Sequence, residues 1–331
     1  MQHRRAMGHL TYMSVAPCRS MLHLRSLPGG GGGKGLHGDL HGRSNMAAAD
    51  TPPARPRAAG KAAFVRSDGV LDLAFASRNG ATVLARSYQA GCLRVRLPRA
   101  EQRDEPPCAV LINTSGGVAD GDRLEQRIAW GQDTIATVTT QAAEKIYRAL
   151  SQGCTITTRI EVGRGAHAEW LPQQTILFDA ARLRREARIV LADDVTFLGV
   201  EAIVLGRKAM GETIRSGALR DTMRIWRNDR LIYADALTLE GDVAGLMDHA
   251  VIGNGAAAMG VIVHASPHTA ELLPVVREAL GAARGLAAAS AWNGLLASRL
   301  LAPDGETLCH DIALALTALR GGRPLPRVWR C

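Results

Sequence analysis

The chain has 331 residues, 47% hydrophobic but only 4% aromatic, so it can bury a sizeable core built mostly from alanine, valine, leucine and glycine. Its net charge of +9 is uneven: residues 1–45 hold six Lys/Arg against one acid, Asp39, leaving 34 basic against 30 acidic residues beyond and no basic stripe with interleaved aromatics, which argues against a nucleic-acid binder. Six scattered cysteines without a Cys-x-x-Cys pair point to a reducing cytoplasm rather than a secreted disulfide scaffold, and no run approaches the ~18 apolar residues of a membrane span.

Residues 1–58 read as a disordered extension and residues 59–331 as a single domain. Five glycines at 29–33 and prolines at 52, 53 and 56 lose much chain entropy on ordering and bury little in return. The extension is open to three readings: a targeting peptide, a nickel-collecting tail carrying His3, His9, His23, His37 and His41, or an unused upstream start with Met46 as the true one. The Gly33-Lys34-Gly35 triplet is not a phosphate loop. Pro28 stands where the pattern needs its first glycine, and Gly35 where it needs Ser or Thr, so any nucleotide hydrolysis must come from a partner.

From residue 65 to about 239 the dominant period is two. Leu124, Ile128 and Trp130 alternate with Glu125, Arg127 and Ala129, and Cys154, Ile156, Thr158, Ile160 and Val162 with polar neighbours, as in strands with one wet face. Asn228-Asp229 between two such runs predicts a two-residue hairpin. Helical spacing comes late. Ser266-Pro267 reads as a cap and first turn ahead of Leu272, Val275, Val276 and Leu280, with Pro274 restricting that helix; residues 294–301 read as a strand, and 306–319 as a helix ended by Gly321-Gly322. The expected class is mainly β, a β-rich α+β chain: a many-stranded antiparallel scaffold with a few helices concentrated in the C-terminal part.

Several polar residues stand out. Residues 195–205 are apolar on both strand faces except at Glu201, a carboxylate that needs a partner or water; it forms a salt bridge to Arg207 or another nearby arginine, or it lines a polar passage used by a metal ion. Asp122 closes a loop containing Gly116, Gly117 and Gly121, with Asp120 two residues before it, and acts as a turn cap or as an oxygen ligand. Glu144-Lys145, Tyr147-Arg148 and Glu212 fit a buried hydrogen-bond network or, in an enzyme, a base with a cation steadying an anion. His167 with Glu169, His264 with His268 and Glu271, and Cys309-His310-Asp311 are weaker clusters; Pro267 interrupts the second, and neighbours on a helix diverge by about 100°.

Five blocks recur in order. The first runs through Asn113, Gly116, Gly117, Gly121, Asp122 and Arg123; the second through Thr139, Thr140, Gln141, Lys145, Tyr147 and Arg148. Trp170-Leu171-Pro172-Gln173-Gln174 with Ile176 and Phe178, Gly206-Arg207 with Gly211-Glu212, and Leu325-Pro326-Arg327-Val328-Trp329 complete the set. Together they resemble the urease accessory protein UreD (UreH) family over roughly residues 60–331. Two positions depart from its pattern: Asp120 replaces a usual glycine and Gln174 a common glutamate.

The resemblance implies a non-enzymatic accessory protein of urease maturation. Its expected partners are UreF, the GTPase UreG, apo-urease and UreE as upstream nickel donor, with neither nucleic acid nor membrane. No tightly bound cofactor is expected; transient Ni2+ would pass along carboxylates such as Asp122, Glu201 and Glu212, while Gly116, Gly117, Gly121, Glu144, Lys145, Tyr147 and Arg148 form the loop scaffold. The competing readings are a metal-dependent hydrolase or transferase on a β-sandwich, which needs three fixed ligands, and an adaptor with no metal path.

Overall fold

Seventeen strands and three helices, the first of them the short α1 (Val243–Asp248), account for most of the described residues. A computed structural model describes residues 66–100, 105–207 and 210–330, all within a unit spanning Lys61–Cys331. The expectations for residues 1–58, Met46 and the five early histidines among them, lie outside the described residues.

The first sheet contains β1 (Asp68–Arg78), β2 (Ala81–Ala90), β5 (Arg123–Trp130), β8 (Cys154–Val162), β11 (Arg182–Leu191), β13 (Ser216–Arg227) and β14 (Arg230–Asp242), in the order β14-β13-β11-β8-β5-β1-β2. The second contains β3 (Leu93–Arg96), β4 (Cys108–Asn113), β6 (Ile135–Thr140), β9 (His167–Leu171), β12 (Thr196–Leu205), β15 (Ala258–Ala265), β16 (Leu286–Trp292) and β17 (Leu295–Ala302), in the order β16-β17-β15-β12-β9-β6-β4-β3. Two short strands, β7 (Glu144–Ile146) and β10 (Thr175–Leu177), extend it beside β12.

The strand-rich body with late helices agrees with the sequence, but its centre is parallel. From β4 to β13 the chain crosses repeatedly between sheets and returns to each in the same direction. Thus β1, β5, β8, β11 and β13 are parallel neighbours, as are β4, β6, β9 and β12. Antiparallel pairs flank this centre: β12 with β15 is joined by a long excursion through the other sheet, while others close by short turns. The Asn228-Asp229 hairpin is one: Arg227 pairs with Arg230, and both turn residues have positive φ, 50° and 57°.

The inner faces meet in a core that includes Leu73, Ile128, Trp130, Ile160, Ile189 and Phe197. A second core lies on the other face of the second sheet, where Leu198, Val200 and Ile262 meet Val276 of helix α2 (Thr269–Leu280) and Leu308, Ile312 and Leu316 of α3 (Gly305–Leu319). Strand β12 is covered on both faces, which explains why it is apolar on both apart from Glu201.

Helix α3 starts one residue before the expected position, with Asp304 accepting from the Thr307 amide at 2.8 Å. Helix α2 starts later than expected. Ser266 Oγ accepts from the His268 amide inside a preceding turn, and the helix begins at Thr269 and runs through Pro274. Strand β16 went unread in the sequence because Leu286–Trp292 is mostly alanine and shows no contrast between faces. Cys92, Cys108, Cys154 and Cys309 are free thiols. No described helix is long and apolar enough to cross a membrane.

Candidate functional site

The glycine-rich loop between β4 and β5 is laced to the segment containing β7. The Val118 amide donates to the Lys145 carbonyl at 2.7 Å, and the Tyr147 amide to the Val118 carbonyl at 2.9 Å. Gly117, at φ 154°, lies so close that a Cβ would sit 2.4 Å from the Tyr147 ring and 2.9 Å from the Lys145 carbonyl oxygen. Only glycine fits there. Asp122 is buried, and its two oxygens accept the Ser67 and Ala119 amides, each at 2.8 Å. Asp120 accepts from Gly153 (2.6 Å), Ser151 (2.8 Å) and Leu150 (3.2 Å). The extra acid therefore fastens the next turn.

Tyr147 carries the arrangement outward. Its hydroxyl donates to the Gly116 carbonyl at 3.1 Å, and its ring meets Phe178 edge-on at 5.2 Å. Arg207 lies 4.1 Å over Phe178 and holds Glu212 at 2.8 and 3.3 Å. Lys145 and Arg148 are exposed at this end. The C-terminal block arrives too: Trp329 Nε1 donates to the Leu171 carbonyl at 3.0 Å, and Gln173 Nε2 to the Val328 carbonyl at 3.0 Å.

A pocket of about 200 Å³ opens between Asn113, Gly116 and residues 140–145 and reaches Gln126 on the inner face of β5. Glu144 faces it, accepting from Asn113 Nδ2 at 3.0 Å. Burial pushes its carboxyl up to about 7, with the Asn113 hydrogen bond acting in the opposite sense. Thr175 is the register partner of Glu144 on β10, and its hydroxyl accepts from Arg185 Nη1 at 3.1 Å.

Arg185 is the hub of a polar island between the sheets. It lies 2.6 Å from Glu201 and binds Asp221 through two nitrogens, at 2.9 and 2.6 Å. The Glu201 salt bridge is therefore to Arg185, while Arg207 is engaged with Glu212. Two carboxylates share one guanidinium, and burial pushes Glu201 up to about 7 against the pull of Arg185. Arg185 and Asp221 were missed in the sequence. The signal was present, since Arg185 falls in phase with buried Leu183, Ala187 and Ile189 rather than with exposed Arg184, Glu186 and Arg188.

The weaker clusters separate. His167 is exposed, while buried Glu169 is bound by Arg320, Arg323 and Thr137. His264 is buried, its pKa pushed down to about 4 by desolvation, whereas His268 is largely exposed. His310 and Asp311 do meet, at 3.0 Å, against the expectation that helical neighbours diverge; Asp311 also accepts the Arg284 and Gly285 amides. Among the described residues no group of three or more His, Cys, Asp or Glu is placed to hold a metal ion.

A sequence model described as UreD urease accessory protein matches residues 67–330. The chain is 43% identical to the urease accessory protein UreD of Rhizobium leguminosarum bv. viciae, over 80% of this chain and 95% of that one. It is 45% identical to UreD of Azorhizobium caulinodans, over 73% and 88%, and 42% identical to UreD of Xanthobacter autotrophicus, over 87% and 96%. The chain belongs to the UreD urease accessory protein family.

Four of the blocks that carry the UreD resemblance, dispersed over a hundred residues, converge at one end of the sandwich through Gly117, Tyr147, Phe178 and Arg207. The fifth packs on Leu171. Membership ties this UreD chain to urease maturation, a chaperone-type role. Of the three carboxylates singled out from the sequence, Asp122 caps a turn, Glu212 is held by Arg207 near the surface, and Glu201 alone lies on the polar line that leads inward from the pocket.

Proposed function

We propose that this chain is the non-catalytic scaffold on which GTP-dependent nickel insertion into apo-urease takes place in the cytoplasm, standing between urease and the UreF–UreG complex, with UreE supplying nickel upstream. We further propose that nickel crosses it as cargo. The observation that carries this reading is the polar line from the pocket at Glu144, past Thr175, to Arg185, Glu201 and Asp221. Carboxyls whose proton affinity lies near neutrality can bind a divalent ion when ionised and release it when protonated. Such weak oxygen sites suit a carrier, which must let go.

The competing reading, a metal-dependent hydrolase or transferase, needs three convergent ligands and an open position, and among the described residues no such group gathers. Asp122 and Glu212 enter the proposal as groups that hold the surrounding loops, with Glu144 and Glu201 on the path itself.

The test is urease activity and nickel content in cells carrying a complete urease gene set with this gene deleted, complemented by residues 46–331 or by that segment with Glu201→Gln. The unaltered segment is expected to restore activity. The variant should remain soluble and lower nickel per urease on the order of tenfold. Full nickel loading with Glu201→Gln would remove the passage and leave the scaffold; no activation by either the segment or the full chain would remove both.

A further inference from the structure

The outer face of the first sheet carries an arginine surface that no linear stretch of the sequence shows. Arg127 is the register partner of Arg159, Arg159 of Arg188, and Arg188 of Arg224, so four arginines stand side by side across β5, β8, β11 and β13. A second row sets Arg123, Arg184 and Arg220 around Thr155. All seven are exposed.

Neighbouring strands lie about 4.8 Å apart, and like charges directly opposite one another destabilise a sheet. The face neutralises only part of this. Glu125 takes Arg127 at 2.5 Å and Arg159 at 2.8 Å, and Arg188 lies 5.0 Å over the Trp226 ring. Among the described residues Arg184, Arg220 and Arg224 have no carboxylate partner. Parallel sheets are moreover usually covered on both faces, and among the described residues no element covers this outer face.

We propose that this face docks an acidic surface of a partner protein, with Arg184, Arg188, Arg220 and Arg224 forming the ion pairs; the inference rests on the scaffold reading above. A guanidinium presents a planar fork that suits carboxylates. A nucleic acid fits less well. Its phosphates would all repel Glu125 and Glu186, which stand between the rows, and the two aromatics of this face, Trp226 under Arg188 and exposed Tyr88 on β2, stand five strands apart and make no continuous stacking platform for bases.

The test measures binding of the purified full chain to apo-urease, to UreF, to UreG and to the UreF–UreG complex by biolayer interferometry at 50 and 300 mM NaCl, as about a sixfold step in salt. A 20-nucleotide single strand and phosphatidylserine vesicles serve as the other probes. Charge reversal (R184E/R188E/R220E/R224E), with an unchanged melting temperature, is expected to weaken one protein partner by about tenfold or more and to abolish its salt dependence, whereas Arg284→Glu, an exposed site on the loop after α2, changes neither. The milder R220Q/R224Q pair replaces it if the reversed chain does not fold. Equal affinity of wild type and variant for every protein, or binding confined to the oligonucleotide or the vesicles, overturns the inference while the scaffold stands. Failure of every protein to bind the wild-type chain removes both.

Discussion

Arg185 on β11 and Glu201 on β12 lie 2.6 Å apart between the two sheets, and the same guanidinium grips Asp221 on β13 through two nitrogens. All three side chains come from strands that the crossing chain brings together. One cation thus serves two carboxylates in a desolvated space.

Arg185→Met is expected to destabilise the fold by about 3–5 kcal/mol, because removing one partner strands buried charge. Adding Glu201→Gln and Asp221→Asn should recover part of that loss. Urea unfolding of the single and triple variants checks the order, and a triple variant weaker than the single one contradicts the ion-pair account.

Gly117→Ala should cost about 1–3 kcal/mol, since the new methyl meets the Tyr147 ring and the Lys145 carbonyl. Gly116→Ala meets nothing within 4 Å, and at φ 78° it should lose only about 1 kcal/mol. Thermal melting of the two variants side by side reads the difference. Equal losses would show that backbone strain alone sets both.

Half-buried Glu144 and buried Glu201 make stability depend on pH. Glu144 and Glu201 are both pushed up to about 7 from an ordinary 4.5, so the folded chain holds more protons than the unfolded one between those values. Their contribution is present below about 4.5 and is lost as pH rises through about 7, with a slope of at most ~1.4 kcal/mol per unit for each group. Denaturant midpoints measured from pH 5 to 8 should show a flatter profile for Glu144→Gln than for wild type. An identical profile would mean that Glu144 titrates as an ordinary surface acid.

Glu169 anchors the segment after α3. It binds Arg320, whose side chain is 8% exposed, and Arg323, which is 51% exposed, both at 3.0 Å. Arg320→Ala should therefore cost about 3–5 kcal/mol, and Arg323→Ala less than about 1 kcal/mol. Chemical unfolding of the two variants separates them, and a reversed order would place the anchor on Arg323.

Local patterns determined a good deal of this protein. Alternation marked β5 and β8 with the correct buried residues, Asn228-Asp229 marked its hairpin, and residues 306–319 marked α3, because burial period, turn conformation and helix spacing are properties of a few neighbouring residues. The ordered blocks determined the family. Alternation could not say which strand lies beside which, and short spacing suggested hairpins where the chain instead crosses between sheets. That crossing decided everything else: the parallel centre, the meeting of Tyr147, Phe178 and Arg207, the reach of Arg185 to Glu201 and Asp221, and the arginine rows on the outer face. Each joins residues separated by tens of positions, and their register comes from pairing and core packing across the whole chain, which no window of sequence contains.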